Sequence, residues 1–310
     1  MANAILAILI AKWRRVATMR FLTQLAGIIR RRKFPDFVSF WHGPIDGLTY
    51  GCLASFPYHG ARLRLYSYDE KIKVPPGIDL ADAREICPDT SLVGRYIADG
   101  KVEFSKFSNL FRYLLIKQTG CCWVDTDLIC LRPPEFQHDE MAFGYQYPKE
   151  HRFALNGAVL KLPREHPVLA ELIQHARDVV DLDQGWGAIG PELITAKFHE
   201  SGLAVFASAT ADYYPIPPAD FWKLILPEGR ESVEEAVRES KLLHLWHKRF
   251  ELAGYDKDIA PPRESYLHRA LERVGGLDRF TGMYDADELR AQLGRSTHPA
   301  SKAGANSGRS

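Results

Sequence analysis

The spacing of apolar and polar residues predicts alternating strands and helices from the start of the globular region. Residues 37–41 are apolar except for Ser39, as expected of a buried strand, and the run ends at the turn-forming residues 42–44. Residues 48–56 have a helical pattern that ends near Gly60, and residues 62–68 alternate as in a half-buried strand. A strand, a helix and a second strand in this order are typical of a parallel sheet.

The alternation continues through the middle of the chain. Apolar residues recur at helical spacing over residues 105–119, and Gly120 occupies the position of a C-terminal cap. A short apolar strand is predicted next, at residues 122–124. The pattern also predicts strands at 141–145, 154–162 and 242–246, and helices at 165–180, 190–200 and 264–274. We therefore expect an α/β fold with a mostly parallel sheet flanked by helices.

The two ends of the chain depart from this pattern. Residues 2–11 are apolar and are followed by Lys12, Arg14 and Arg15, which predicts an amphipathic basic helix within residues 1–35. The apolar run is shorter than the about 20 residues that span a bilayer. Two interpretations stay open, a helix lying on an anionic membrane and a helix packed on its own domain. Residues 36–293 are expected to form one domain, and residues 294–310 a disordered tail.

The composition is that of a globular protein with almost no net charge. Lys and Arg number 40 against 39 Asp and Glu, which excludes a protein that coats nucleic acid, so no nucleic-acid partner is expected. The five cysteines have no paired CxxC spacing, which argues against a disulfide framework or a structural zinc site. We expect a cytoplasmic protein, peripheral on the inner face of a membrane if the N-terminal helix binds lipid.

Two carboxylates follow the predicted strand at 122–124. Asp125 and Asp127 emerge at its carboxyl end, where open α/β sheets bind ligands, and at strand spacing they share a face while Thr126 points away. Two close anions repel unless a cation lies between them. Mn²⁺ or Mg²⁺ would satisfy both carboxylates and keep positions open for phosphate oxygens. The apolar residues on both sides distinguish this Asp-x-Asp from a solvated turn.

Two other classes of protein are compatible with this motif. Phosphatases of the haloacid dehalogenase type also place Asp-x-Asp after a strand, but they have Thr or Val where this chain has Ile129, and their motif lies near the start of the fold. A non-catalytic, membrane-associated scaffold is the second alternative. It is disfavoured because a scaffold would not need the polar residues Arg112, Asp125, Asp127 and Asn156 together.

The region around the motif resembles a known signature. Residues 107–115 (FSNLFRYLL), Gly120 and residues 123–127 (WVDTD) are similar to the sugar-binding region of family 32 glycosyltransferases. That family includes yeast Golgi mannosyltransferases, the globotriaosylceramide galactosyltransferase and bacterial surface-polysaccharide enzymes. The likeness extends from Phe37 to about Phe250. It implies a GT-A-like fold, a nucleotide-sugar donor (a UDP-sugar is expected), a divalent metal and retention of the anomeric configuration.

The resemblance also assigns roles to individual residues. It implies that Trp41 lies against the nucleotide base, that Arg112 and Asp125 contact the donor sugar or ribose, and that Asp127 binds the metal. Asn156 is similar to the Asn that lines the reaction centre. Residues 190–191 match a turn on the acceptor side, and the acceptor is expected to be a glycan or lipid-linked sugar hydroxyl.

Two positions depart from the family pattern. The family has Asp where this chain has Asn109, which changes the hydrogen bonds offered to the donor sugar. The usual Gly-Gly before the strand is Gly120-Cys121 here, a change expected to affect packing alone.

A second candidate cluster lies late in the chain, at residues 243–249 (LHLWHKR). His244 or His247 is a candidate to complete the metal site, and Lys248 or Arg249 to neutralise a diphosphate. A similar His-x-Trp segment occurs in the resembling family. His42, beside the turn after the first strand, is a further candidate donor contact. Four aromatic residues are candidates for a sugar-stacking platform or for ordinary core positions: Trp186, Trp222, Tyr213 and Tyr214.

The same residues suggest how a sugar would be transferred. A retaining hydrolase needs two carboxylates about 5 Å apart across the scissile bond, and no acidic candidate beyond the Asp125–Asp127 pair is evident. Attack by the acceptor hydroxyl on the face that the leaving group departs from is therefore expected. The resemblance implies that the leaving phosphate acts as the base.

Overall fold

The computed structural model describes residues 35–297 except positions 134, 137 and 138. The predicted N-terminal helix and residues 298–310 of the predicted tail lie outside the described residues. A six-stranded sheet forms the centre, in the order β3-β2-β1-β6-β9-β8. Its strands are β1 (Phe37–Phe40), β2 (Leu63–Ser67), β3 (Asp79–Asp82), β6 (Cys122–Val124), β8 (Ala142–Tyr145) and β9 (Leu155–Lys161).

The sheet is mostly parallel. Strands β1, β2, β3 and β6 pair in parallel, whereas β9 is antiparallel to both β6 and β8. Short ladders lie outside it, formed by β4 (Ile97–Ala98) with β5 (Lys101–Val102), β7 (Leu128–Cys130) with β10 (Leu242–His244), and β11 (Ile259–Ala260) with β12 (Gly282–Met283).

Helices connect these strands and cover the sheet. Their bounds are α1 (Gly47–Tyr58), α2 (Phe104–Thr119), α3 (Pro167–Asp178), α4 (Pro191–Glu200), α5 (Thr210–Tyr213), α6 (Trp222–Ile225), α7 (Arg230–Ala236), α8 (His247–Leu252), α9 (Tyr266–Arg273) and α10 (Ala286–Thr297). Short 3-10 turns occur at Ala83–Glu85, Thr90–Gly94, Leu203–Phe206, Pro218–Asp220, Pro227–Gly229 and Leu277–Arg279.

Apolar side chains pack on both faces of the sheet. One core contains Phe107, Phe111 and Leu115 of α2 together with residues of α3 and α4. A second core contains Leu53 and Phe56 of α1 with Leu65 of β2, and a third lies around Leu243 and Phe250. Because both faces are covered, the strands are apolar on both sides, as parallel strands generally are.

The strand order reverses between β1 and β6. From β1 the chain moves through α1 to β2 on one side, and later returns through α2 to β6 on the other side. In open α/β sheets such a point opens a crevice at the carboxyl ends of the two strands, where ligands bind. Here those ends are followed by Trp41 and by Asp125.

The predicted α/β class, with a mostly parallel sheet flanked by helices, is confirmed in the described residues. The predicted strands and helices recur within a few residues of their expected bounds, and Gly120 ends α2 with a left-handed φ of 66°. The strand expected at 242–246 is shorter and pairs outside the central sheet. Helix α10 ends at Thr297, past the predicted start of the tail at residue 294.

Among the described residues no helix is both long enough and apolar enough to cross a bilayer.

Candidate active site

The two carboxylates of the Asp-x-Asp motif are held by different sheets. The backbone N–H of Asp125 donates to the carbonyl of Ala158 at 2.8 Å, which continues the pairing of β6 with β9. The carbonyl of Asp127 accepts from the N–H of Leu245 at 3.0 Å, which continues the ladder of β7 with β10. The turn therefore joins the central sheet to the outer ladder, and this ladder brings His244 to the motif.

Three side chains converge at this turn. One ligand atom each from Asp125, Asp127 and His244 lies within 4.8 Å of the others. The Nε2 of His244 is 3.1 Å from Oδ1 of Asp127. Neighbouring ligands of an octahedral cation at about 2.1 Å lie about 3 Å apart, so this spacing suits two ligands of one ion. Two carboxylates and an imidazole are a donor set that Mn²⁺ accepts.

Asp125 is fixed by two hydrogen bonds from the protein side of the site. Nη2 of Arg112 and Nε1 of Trp123 both donate to its Oδ1 at 2.6 Å. The guanidinium carbon of Arg112 also lies 5.0 Å from the centre of the Trp123 ring. Nη1 of Arg112 donates to Oδ1 of Asn109 at 2.9 Å. The Arg112 side chain is 6% exposed, so the guanidinium is a buried charge that Asp125 neutralises.

Asp127 is kept ionised by two neighbouring histidines. Burial by itself would raise the pKa of this carboxyl, but the adjacent His244 and a hydrogen bond from the backbone N–H of His247 at 3.0 Å hold it well below its usual range. Asp127 is thus a carboxylate at neutral pH. This is the state that a metal ligand requires.

The two histidines differ in their relation to the carboxylates. The ring of His244 belongs to the cluster, whereas His247 contacts Asp127 through its backbone. Burial lowers the pKa of His247, and the nearby Asp127 opposes this shift without cancelling it. Nδ1 of His244 and Nε2 of His247 are buried without a hydrogen-bond partner among the described residues. The arrangement favours His244 as the metal ligand.

Trp246, between these histidines, has a strained backbone. Its φ is 62°, a left-handed value that bulky residues rarely adopt. Its ring centre is 4.1 Å from that of His244, and its Nε1 donates to the carbonyl of Ile216 at 2.8 Å. Strain of this kind persists where the surroundings over-determine it, and it clusters at functional sites.

A partly exposed cluster of three charged residues lies close enough to influence the pKa of His247. Nζ of Lys257 is 3.2 Å from Asp46 and 3.3 Å from Glu251. Asp46 also caps α1, because its Oδ1 accepts from the N–H of Thr49 at 2.7 Å. Asp46 raises and Lys257 lowers the pKa of His247.

Asn156 lies on β9, and both ends of its side-chain amide form hydrogen bonds within the β8–β9 hairpin. Its Nδ2 donates to Oε1 of Gln146 at 2.6 Å, and its Oδ1 accepts from the N–H of Ala158 at 2.8 Å. The next residue, Gly157, has its Cα against Arg112, and a Cβ there would overlap Nη1. The role of Asn156 in the reaction stays a prediction.

Trp41 and His42 lie where β1 ends. Trp41 is partly exposed and its Nε1 donates to the carbonyl of Pro44 at 3.0 Å. His42 is exposed, and its ring centre is 5.3 Å from that of Phe104 at the start of α2. Both residues follow the carboxyl end of β1, and their contact with a nucleotide stays a prediction.

Lys248 and Arg249 lie on the first turn of α8 and are exposed. Nζ of Lys248 is 3.5 Å from Glu251 and 4.0 Å from Glu103, and Arg249 lies 5.8 Å from the Phe221 ring. The structure therefore does not place either cation on the carboxylate pair. Their contact with a diphosphate stays a prediction.

The candidate aromatic platform divides into core and surface residues. Tyr213 and Tyr214 are 1% and 2% exposed, so the sugar-stacking interpretation is wrong for this pair because neither ring reaches solvent. Trp222 is partly buried, and the ammonium of Lys223 lies 5.6 Å from its ring. Trp186 is 48% exposed.

Four contributors to the site were not predicted from the sequence: Trp123, Gln146, Gly157 and Lys257. The position of Trp123 was foreseeable, because residues two apart on a strand share a face and Trp123 precedes Asp125 by two. For the other three, no local pattern links them to the motif.

Comparison with known proteins gives a consistent result. No protein-family model matches the chain. It is 29% identical to the lactosylceramide 4-alpha-galactosyltransferases of Pan troglodytes and Homo sapiens over 213 residues, which cover 63% of this chain and 56% of each relative. The protein of the same name from Pongo pygmaeus is 29% identical over 185 residues, covering 54% of this chain and 81% of that one. The match thus spans little more than half of the chimpanzee and human proteins.

Two solved structures are distantly similar. One is the PaToxG glycosyltransferase, with a TM-score of 0.39 and 11% identity over 78% of this chain and 86% of that one. The other is the apo form of the glycosyltransferase GlyE of Streptococcus pneumoniae TIGR4, with a TM-score of 0.43 and 13% identity over 85% and 64%. In sequence the chain is therefore similar to glycosyltransferases, namely the lactosylceramide 4-alpha-galactosyltransferases.

Proposed function

We propose that this protein is a metal-dependent hexosyltransferase. It moves a sugar from a nucleoside-diphosphate sugar, a UDP-sugar by our expectation, to a hydroxyl of a glycan or glycolipid, with retention of the anomeric configuration. The observation that carries the proposal is the convergence of Asp125, Asp127 and His244 at the strand-order switch point. The relatives are named for transfer of galactose to lactosylceramide, which supports a glycolipid as one acceptor class.

The cluster fits a divalent cation of the Mn²⁺ or Mg²⁺ type. Asp127 and His244 are spaced as ligands of one ion, and two buried imidazole nitrogens nearby lack partners among the described residues. When bound, the metal would supply Lewis-acid stabilisation of the negative charge that grows on the leaving diphosphate. Asp127, which stays ionised, and His244 would hold it, with Asp125 beside them.

The chain's own residues orient the donor. Asp125 is locked by Arg112 and Trp123, so its carboxylate offers a fixed acceptor to a sugar or ribose hydroxyl. Asn109 borders the same guanidinium and presents an amide rather than a carboxylate. Trp41, at the end of β1, presents a partly exposed ring to a nucleotide base.

Retention is proposed from the resemblance to family 32 glycosyltransferases, and the acidic groups of the site bear on how it would occur. The metal cluster of the described residues contains two carboxylates, and both are committed, Asp125 to Arg112 and Asp127 to His244. A nucleophilic carboxylate on the opposite face of the sugar is therefore not provided by this pair. The acceptor hydroxyl would attack on the leaving-group face and pass its proton to the departing phosphate.

A panel of nucleotide sugars tests the proposal. The full chain is incubated with UDP-, GDP- and ADP-hexoses, with Mn²⁺ or with EDTA, and release of nucleoside diphosphate is measured with and without lactose. We expect Mn²⁺-dependent release for one donor, and NMR of the product should show a retained anomeric configuration. A protein that releases p-nitrophenol from p-nitrophenyl phosphate but cleaves no nucleotide sugar would support the phosphatase alternative. A protein that cleaves none of these substrates would support the scaffold alternative.

We also propose that the protein acts at the cytoplasmic face of a membrane, on the basis of the basic amphipathic pattern of residues 1–35. Co-sedimentation with anionic vesicles tests this, comparing the full chain with a version that lacks residues 1–33. Equal partitioning of the two proteins would leave the interpretation that this segment packs on the domain.

A further inference from the structure

An exposed tryptophan is held in place beside the site. Trp186 lies in the loop before α4 and is 48% exposed. Its indole Nε1 donates to Oγ of Ser105 at 3.1 Å. A side chain at the preceding residue, Gly185, would meet no atom within 4 Å, so the space beside the loop is open. The ring is thus oriented by a hydrogen bond while much of its surface remains available.

The backbone of this loop is anchored to helix α2 by a buried lysine. Lys106 on the first turn of α2 is 0% exposed, and its Nζ donates to the carbonyls of Ile97 at 2.6 Å and Gln184 at 3.1 Å. Breaking these two hydrogen bonds would leave a buried ammonium without partners, which costs free energy. Lys106 therefore holds the loop against α2. A ligand that stacks on Trp186 would therefore not have to order the ring first.

A line of hydrogen bonds connects the indole to the carboxylate pair. The carbonyl of Ser105 accepts from Nδ2 of Asn109 at 3.0 Å, Asn109 accepts from Arg112 at 2.9 Å, and Arg112 donates to Asp125 at 2.6 Å. Ser105 and Arg112 are two helical turns apart on α2, which is about 10 Å along the axis. The indole is thus bonded to the first turn of α2, whereas Arg112, which binds Asp125, lies two turns further along the helix.

We infer that the indole of Trp186 stacks against a pyranose ring of the acceptor, outward of the donor sugar. This inference rests on the proposed function. The apolar C–H face of a pyranose suits an amphipathic ring, and the indole N–H is already committed to Ser105. Phe104, 52% exposed at the start of α2, extends the same rim towards His42. The ligand class is a glycan that presents such a face, with lactose as the probe.

The test compares Trp186→Ala and Trp186→Phe with the unchanged full chain. The control is Phe206→Ala, which removes another exposed aromatic ring, 61% exposed, from the 3-10 turn Leu203–Phe206. In the transfer assay with Mn²⁺ and lactose, Trp186→Ala should raise the acceptor KM about tenfold, the change that about 1.4 kcal/mol produces. The donor KM should change at least threefold less than the acceptor KM. Trp186→Phe should recover most of the loss, and Phe206→Ala should match the unchanged chain.

An unaltered acceptor KM in Trp186→Ala would overturn the inference. So would an equal rise in both KM values, because it would place the indole on the donor side or in a structural role. Saturation-transfer NMR with lactose decides the matter independently of turnover. The unchanged chain should transfer saturation to the sugar's ring protons and Trp186→Ala should transfer clearly less at the same lactose concentration, whereas equal signals refute stacking. A chain that releases nucleotide from no donor refutes the proposed function, and the NMR arm still decides this inference.

Discussion

A substitution at Gly157 tests whether the central sheet fixes the position of Asp125 through Arg112. Gly157 lies in β9, next to Asn156, and its Cα packs directly against the guanidinium of Arg112. A Cβ at this position would overlap Nη1 of Arg112 and lie 2.8 Å from Cδ1 of Ile194. Gly157→Ala must therefore displace Arg112, since the other neighbour belongs to the buried core. That displacement would break the 2.6 Å hydrogen bond to Asp125.

The size of the effect follows from the packing. Inserting a methyl group into a filled site costs about 1–3 kcal/mol of stability. Misplacing a catalytic group by about 1 Å can cost about 100-fold in rate. We therefore expect Gly157→Ala to lower kcat/KM for donor hydrolysis about 100-fold while lowering the melting temperature by several degrees. Activity is measured by nucleoside-diphosphate release at saturating Mn²⁺, and stability by thermal denaturation.

Gly94→Ala is the matched control. A Cβ on Gly94 would meet nothing within 4 Å, so this variant should keep both activity and stability. A Gly157→Ala protein with kcat/KM within threefold of the unchanged chain would refute the claim that Arg112 must stay where it is. Activity lost in proportion to the unfolded fraction would show that the residue matters for folding alone.

Three further predictions follow from the site and the core. Asp127→Ala should lower transfer at least about 100-fold at saturating Mn²⁺ and leave the circular dichroism spectrum unchanged, because it removes a metal ligand; near-normal turnover would contradict the metal assignment. Asn109→Asp should shift relative kcat/KM among nucleotide sugars without altering the metal requirement, because it gives Arg112 a second charged partner beside Asp125; a uniform change across donors would make Asn109 structural. Thiol reagents at neutral pH should label the folded protein slowly and label five thiols after denaturation, since the cysteines are buried and burial raises the pKa of Cys122 and Cys130 to about 12; rapid labelling of the native chain would contradict this.

Much of the fold could be predicted because the spacing of apolar residues and the capping glycines that mark strands and helices lie within short stretches of sequence. Helix α2 was evident from apolar spacing and from Gly120, whose left-handed φ ends it. Strand β6 was evident from its short apolar run before Asp125. The short elements β3, β4, β5, β11 and β12 were not predicted, since two to four partly exposed residues give no period to detect.

The sequence alone determined that this chain has an α/β fold and that Asp125 and Asp127 emerge together from a strand. It also determined that Asn109 and Arg112, three residues apart, share a helix face. Strand and helix periods fix these relations within a few residues. The tertiary structure decided which distant residues join them. Pairing of β10 with β7 brings His244, and not the ring of His247, to Asp127, and close packing of β9 on α2 makes Gly157 necessary beside Arg112. The tertiary structure also buries Tyr213 and Tyr214 while leaving Trp186 in solvent. Such outcomes depend on which helices and strands pack together in the folded chain. The residues adjacent in sequence do not determine that packing.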